Sequence, residues 1–208
     1  VLILRLVEAM REGLCYTLGA RTVKTSPFSF FAGAAVNPYK VREPDQMMQF
    51  YKMELKIACG ARFLITQLGF NLRKLVELRR YLEREGLGHV PVLANVYVPT
   101  AAIARMMQSG ALAGCVVPDE LLRRLENEKK PQRMERAALM VAAVRDLGFA
   151  GAHIGGFGLA HRDFRAIIDR SAEIGSDWRR RLDELIFEYP GEFYLLPAAS
   201  DGLSDPAA

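Results

Sequence analysis

Short apolar runs alternate along the chain with longer segments in which apolar residues recur every three or four positions. The short runs predict β-strands, and the longer segments predict amphipathic helices. Five strands are predicted in this way: Phe28–Val36, Arg62–Leu68, Val90–Val98, Gly114–Val117 and Gly151–Gly156. Strands that alternate with helices at this spacing pair in parallel through right-handed crossovers. The pattern therefore predicts an α/β protein.

The segments between these strands predict helices with recognisable ends. They are Gln46–Cys59, Leu72–Glu85, a short helix from Thr100 to Gln108, one opened by Pro118, Met134–Leu147, and one after His161. Gly86 and Gly148 follow two of them, where helices commonly end. At the amino end, Leu4, Val7 and Met10 mark a further helix face without a start signal. We therefore expect the chain to begin partway through a larger protein.

Five βα units suit either an open doubly wound sheet or part of a barrel. No Gly-x-Gly-x-x-Gly follows the first strand, which weakens the dinucleotide-fold alternative. A complete barrel has eight strands and about 250 residues. The prediction is a partial TIM (βα)8 barrel over residues 1–175, with a carboxy-terminal helix and tail over residues 176–208. The last stretch, from Ser200, is small and polar and is predicted to fray.

Charge and cysteine content narrow the possible partners. The 208 residues include 28 Lys and Arg against 24 Asp and Glu, a net charge of +4. This mild excess favours anionic ligands but does not indicate nucleic-acid binding. The three cysteines are far apart, which disfavours a metal site or disulfides and favours a reducing, cytoplasmic setting. Arg5 and Glu8 interrupt the apolar start, so no membrane partner is expected.

Polar side chains follow the second predicted strand at the point where it ends. Phe63, Leu64 and Ile65 lead directly into Thr66 and Gln67. Parallel α/β proteins build their sites at the carboxyl ends of strands. The Gln67 amide offers two donors and an acceptor, which suit the mixed edge of a pterin or flavin ring. From the residues alone, Gln67 suits a plain strand cap equally well.

Three blocks in a fixed order resemble a known family. They are Phe31-Ala32-Gly33-Ala34-Ala35-Val36-Asn37-Pro38, then Lys56-x-x-x-Gly60-Ala61, then Thr66-Gln67-Leu68-x-Phe70. Their order and spacing resemble the fourth and fifth strands of methylenetetrahydrofolate reductase, which uses a flavin-bearing (βα)8 barrel. Later segments of the chain resemble the sixth to eighth strands of that barrel. The resemblance implies that strands four to eight are present here.

The resemblance also implies an activity and a set of site residues. The activity is the reduction of 5,10-methylenetetrahydrofolate to 5-methyltetrahydrofolate, with FAD as cofactor and NAD(P)H or another electron donor as partner. Ala34, Ala35, Asn37 and Lys56 match positions that border or contact the flavin dinucleotide, and Gln67 matches the glutamine that hydrogen-bonds the pterin. Without the resemblance, the alanines suit strand packing and Lys56 suits a solvent-facing helix position.

Departures from the family pattern leave other functions open. The family's catalytic acid is a glutamate on the first strand, which we expect upstream of Val1, and its arginine after the eighth strand has no clear match. His153 lies in an apolar strand and is interpreted as a core histidine bonded to a carbonyl rather than a proton shuttle. The alternatives are a folate-dependent methyltransferase on the same barrel and a non-catalytic partner subunit. A homo-oligomer is also open.

Overall fold

The computed structural model describes residues 1–112 and 114–205. Its strands are β1 (Cys15–Leu18), β2 (Arg21–Lys24), β3 (Gly33–Val36), β4 (Phe63–Thr66), β5 (Val92–Tyr97) and β6 (Gly151–Gly155). Its helices are α1 (Leu2–Ala9), α2 (Glu43–Ala58), α3 (Leu72–Arg84), α4 (Ala101–Gln108), α5 (Asp119–Asn127), α6 (Lys130–Asp146) and α7 (His161–Ile174). A 3₁₀ helix (Gly175–Glu184) follows α7.

The centre of the molecule is a parallel sheet in the order β3-β4-β5-β6. Helices connect its successive strands, which confirms the α/β class and the parallel strands with alternating helices. The described residues form an open sheet of four strands and do not close a barrel. Helices pack on one face of the sheet, and on the other face, which we call the open face, the described residues are partly or fully exposed.

The predicted strand at Gly114–Val117 is wrong. These residues have no strand pairing, and β6 pairs directly with β5. Val117 is buried instead in a second apolar cluster with Phe70 and Leu121. A short apolar run fits a sheet and a separate cluster equally well, so periodicity could not distinguish them.

The amino-terminal region also differs from the prediction. Within Phe28–Val36, β3 begins only at Gly33, and the rings of Phe28, Phe30 and Phe31 are exposed. β1 and β2 form an antiparallel hairpin that the sequence did not predict. Their residues are almost all exposed, so they lack the apolar alternation that marks a strand.

The main core lies between the sheet and α3 and α6. In β5, Val92, Ala94 and Val96 are buried in this core, while the residues between them face the open side. Trp178, in the 3₁₀ helix, is fully buried in the same core. Its indole Nε1 donates to Asp146 Oδ2 at 3.1 Å, so the polar end of the ring is satisfied.

Trp178→Phe is expected to lower the free energy of unfolding by about 1–2 kcal/mol, because it removes this hydrogen bond and leaves a small void. Urea denaturation of both proteins measures the change. Asp146→Asn keeps an acceptor for the indole and serves as the milder control. An unchanged urea midpoint for Trp178→Phe would show that the indole contributes nothing beyond what a phenyl ring supplies.

The carboxy-terminal tail is packed rather than frayed over its described part. Leu203 and Ser204 are buried, and Ala198 and Ser204 form an isolated bridge. Residues 206–208 of the predicted frayed stretch lie outside the described residues. The division at residue 175 stays a prediction.

Candidate functional site

Four polar side chains lie side by side across the open face of the sheet. Asn95 pairs with His153 in the β5–β6 register. Continuing the β3–β4 and β4–β5 registers past their last paired residues places Asn37 beside Gln67 and Gln67 beside Asn95. Side chains at paired positions share a face of the sheet. We call Asn37, Gln67, Asn95 and His153 the polar row; it lies towards the carboxyl ends of the strands.

The amides of Gln67 and Asn37 are fixed by backbone contacts. Gln67 Oε1 accepts from the Leu68 amide at 2.9 Å, and within the described part of the chain its Nε2 has no acceptor. Asn37 Oδ1 accepts from the Tyr39 amide at 3.0 Å, and its Nδ2 donates to the Gly114 carbonyl at 3.1 Å. The Gln67 donors are therefore available to a ligand, whereas those of Asn37 are partly used.

Gly114 brings a loop against this end of the row. Its φ of +81° is a conformation that favours glycine. A Cβ at this position would lie 3.4 Å from Gln67 Nε2 and 3.6 Å from Asn37 Nδ2. The loop thus contacts the row directly, although the sequence interpretation placed these residues in a strand.

Asn95 and His153 extend the row to the far edge of the sheet. His153 is exposed, and its Nδ1 lies 3.4 Å from Asn95 Oδ1. The interpretation of His153 as a core histidine is wrong, because its face of β6 is the open one. Asn95 was not identified from the sequence. The sequence did contain a signal that could have identified it: Asn95 is an amide side chain at an open-face position of a strand whose other residues are mostly apolar.

A buried pair supports the row from behind. Thr66 is buried, and its Oγ1 accepts from the Asn95 amide at 2.8 Å. Tyr39, two residues after Asn37, is also buried. Burial strongly raises the pKa of Tyr39, so the phenol stays neutral and cannot serve as a proton acceptor. Thr66, named with Gln67 from the sequence, therefore ties neighbouring strand ends together and does not face the open side.

The residues assigned to the flavin lie along β3 and α2. Ala35 is exposed on the open face, whereas Ala34 packs against the main core. Lys56 Nζ donates to the Ala35 carbonyl at 2.6 Å. Burial, together with the nearby Lys52, lowers the pKa of Lys56. The β3 edge thus presents a small side chain and a cation close together.

The residues at this edge fit a flavin dinucleotide, the cofactor that the resemblance implies. A flat ring needs close approach to backbone, which the methyl side chain of Ala35 permits. A diphosphate needs a cation, which Lys56 provides.

Among the described residues, no group of three or more His, Cys, Asp and Glu side chains is placed to hold a metal ion. None of the described helices has the length and apolar character needed to cross a membrane.

A parallel α/β sheet with polar side chains at the carboxyl ends of its strands has the arrangement of the (βα)8 barrel class, in which ligand sites lie at that end. Comparison with protein families narrows this class. The model of the methylenetetrahydrofolate reductase family matches residues 24–157. The chain belongs to this family, which confirms the resemblance seen in the sequence, and membership supports a folate-related function. All four residues of the polar row lie inside the matched segment, and the tail lies outside it.

One solved structure is similar over part of the chain. It is an uncharacterized protein from Clostridium thermocellum that binds two copies of 5-methyl-5,6,7,8-tetrahydrofolic acid. The sequence identity is 17% and the TM-score is 0.47, over 69% of this chain and 53% of that chain. This chain thus spans about half the length of that protein. A search of curated proteins found no match.

Proposed function

We propose that this chain forms the folate-binding part of a flavin-dependent enzyme that reduces 5,10-methylenetetrahydrofolate to 5-methyltetrahydrofolate. The family match over residues 24–157 carries the proposal, because it covers every residue assigned to the site. In this assignment Ala35, Asn37 and Lys56 hold FAD, with the backbone of Ala34 beside them. Gln67 holds the pterin.

Each of these residues has a defined task. Gln67 Nε2 donates to acceptor atoms on the pterin edge, while its Oε1 is kept in place by the Leu68 amide. Lys56 donates to the Ala35 carbonyl and would pair with the anionic diphosphate of the cofactor. Bound FAD would supply the hydride chemistry, with NAD(P)H or another donor as the source of the electrons. The protein's part is to orient the two rings on the open face.

Ligand binding by the complete protein tests this function. We expect the protein to bind FAD, seen by its visible absorbance after gel filtration, and to bind 5-methyltetrahydrofolate in calorimetric titration. We also expect NAD(P)H oxidation with an artificial acceptor. Lys56→Gln should lower FAD affinity, and Lys24→Gln, which removes a lysine on the exposed β2, should not.

The same measurements separate the alternatives. Folate binding without flavin would contradict the reductase and support a methyltransferase on the same barrel. Binding of neither ligand would contradict both enzymes and support a partner subunit. Flavin binding without folate binding would remove the role assigned to Gln67.

A further inference from the structure

Two members of the polar row are the first residues of short loops. Gln67 begins the loop that ends at Asn71, just before α3, and Asn37 begins the loop that leads into α2. The two loops lie against each other, because a side chain at Gly69 would overlap the ring of the buried Tyr39. A shift at the far end of either loop would therefore reach the polar row over only a few residues.

The carboxy-terminal tail holds the far end of each loop, although it lies outside the family-matched segment. In the loop after β3, the Val41 carbonyl accepts from the Phe193 amide at 2.8 Å. In the loop after β4, Asn71 Nδ2 donates to Glu192 Oε2 at 2.8 Å. Two adjacent residues of the tail therefore hold both loops.

The contact between Asn71 and Glu192 is part of a closely packed polar cluster. Asn71 is buried; its Oδ1 accepts from the Arg73 amide at 3.0 Å, which caps α3, and its Nδ2 also donates to the Tyr194 hydroxyl at 2.6 Å. Glu192 is half-buried, and burial raises the pKa of its carboxyl, while Lys74, Tyr194 and Asn71 oppose that shift. Removal of the Glu192 carboxyl would leave the buried Asn71 amide with one acceptor fewer.

We propose that Glu192 is a positioning residue for the polar row: by holding Asn71, it fixes the loop that presents Gln67 to the ligand. The inference rests on the proposed function and adds the tail to the parts of the chain on which folate binding depends. The Gln67 donors have to point at one edge of a flat ring, and a hydrogen bond weakens steeply as its angle bends. A loosened loop therefore lowers the affinity without removing any group that contacts the ligand.

Calorimetric titration of the complete protein with 5-methyltetrahydrofolate tests this role. Glu192→Ala should weaken binding about threefold to tenfold, the usual scale for one lost hydrogen bond. Glu192→Gln keeps an oxygen that accepts from Asn71, so it should retain most of the affinity. Glu188→Ala is the matched control and should change the affinity little, because this tail carboxylate pairs with Arg73 Nη1 at 3.3 Å, in α3 rather than in the loop.

A double variant distinguishes positioning from a general loosening of the fold. Because Glu192 acts through Gln67, Glu192→Ala should cost no further affinity in a protein that already carries Gln67→Ala. Hydrogen exchange of the ligand-free protein should rise at residues 67–71 in Glu192→Ala and stay unchanged in β4 and β5. Fully additive losses, unchanged exchange at residues 67–71, or an equal loss in Glu188→Ala would overturn the positioning role.

The positioning role and the proposed function fail in different ways. If the unmodified protein and Glu192→Ala bound 5-methyltetrahydrofolate equally well, the positioning role would be overturned and the proposed function would stay intact. If the unmodified protein bound no folate, the proposed function would fail and the positioning role with it.

Discussion

Gln67→Ala in the complete protein is expected to reduce folate turnover by about tenfold to a hundredfold, because the lost amide hydrogen bonds are worth about 1–3 kcal/mol when their partners are left unpaired. The oxidation of NAD(P)H with an artificial acceptor should change far less. Gln67 lies in the polar row just after β4, whereas Ala35 and Lys56, two of the residues assigned to the flavin, lie in β3 and α2. Steady-state kinetics of the two half-reactions measure the difference.

Two controls make this result specific. Gln67→Glu keeps an oxygen to accept from the Leu68 amide but loses both donors, so it should resemble Gln67→Ala in folate turnover. Thermal denaturation of each variant separates a binding effect from a folding effect. Equal losses in both half-reactions would contradict the assignment of Gln67 to the pterin.

Glu77→Ala is expected to lower the free energy of unfolding by about 3–5 kcal/mol, the usual cost of leaving one member of a buried ion pair alone. Glu77 and Lys74 both have fully buried side chains in α3, with Nζ and Oε2 3.6 Å apart. Lys74 also donates to the Phe193 carbonyl, and Glu77 accepts from the Leu195 and Leu196 amides. Burial lowers the pKa of Lys74, and Glu77 opposes that shift. Chemical denaturation measures the loss.

A matched pair of variants tests this explanation. Glu83→Ala removes a carboxylate from the exposed ion pairs of the same helix and should cost less than about 1 kcal/mol. The double variant Lys74→Met/Glu77→Leu removes both charges of the pair, so it should be more stable than Glu77→Ala. If the double variant were the less stable protein, the loss would come from the tail contacts rather than from an isolated charge.

Much of the fold could be predicted because its strands are buried and several of its helices end at glycines. Arg62–Leu68 and Val90–Val98 contain β4 and β5, and Gly151–Gly156 is almost identical to β6. The error at Gly114–Val117 arose because burial in a cluster of helices and loops leaves the same apolar signature as burial in a sheet. The exposed hairpin at β1 and β2 left no apolar signature at all.

The candidate site could be predicted only in part. Gln67 stood out because it follows an apolar strand. Its neighbours depend on register, which a single sequence does not specify across crossover helices. The contact between Asn37 and Gly114 joins residues 77 positions apart, and the one between Asn95 and His153 joins residues 58 apart. The roles of the site residues therefore remain predictions, while their positions follow from the fold.

The buried ion pair of α3 also has a consequence during synthesis. Lys74 and its acceptor Phe193 are 119 residues apart. At about 5–20 residues per second, the ribosome delivers the tail about 6–24 s after α3. In that interval the two charges keep the uncovered face of α3 hydrated. Two apolar side chains at the same positions would instead attract other nascent chains. The double variant Lys74→Met/Glu77→Leu should therefore aggregate more during expression, although its finished fold would lack this buried ion pair.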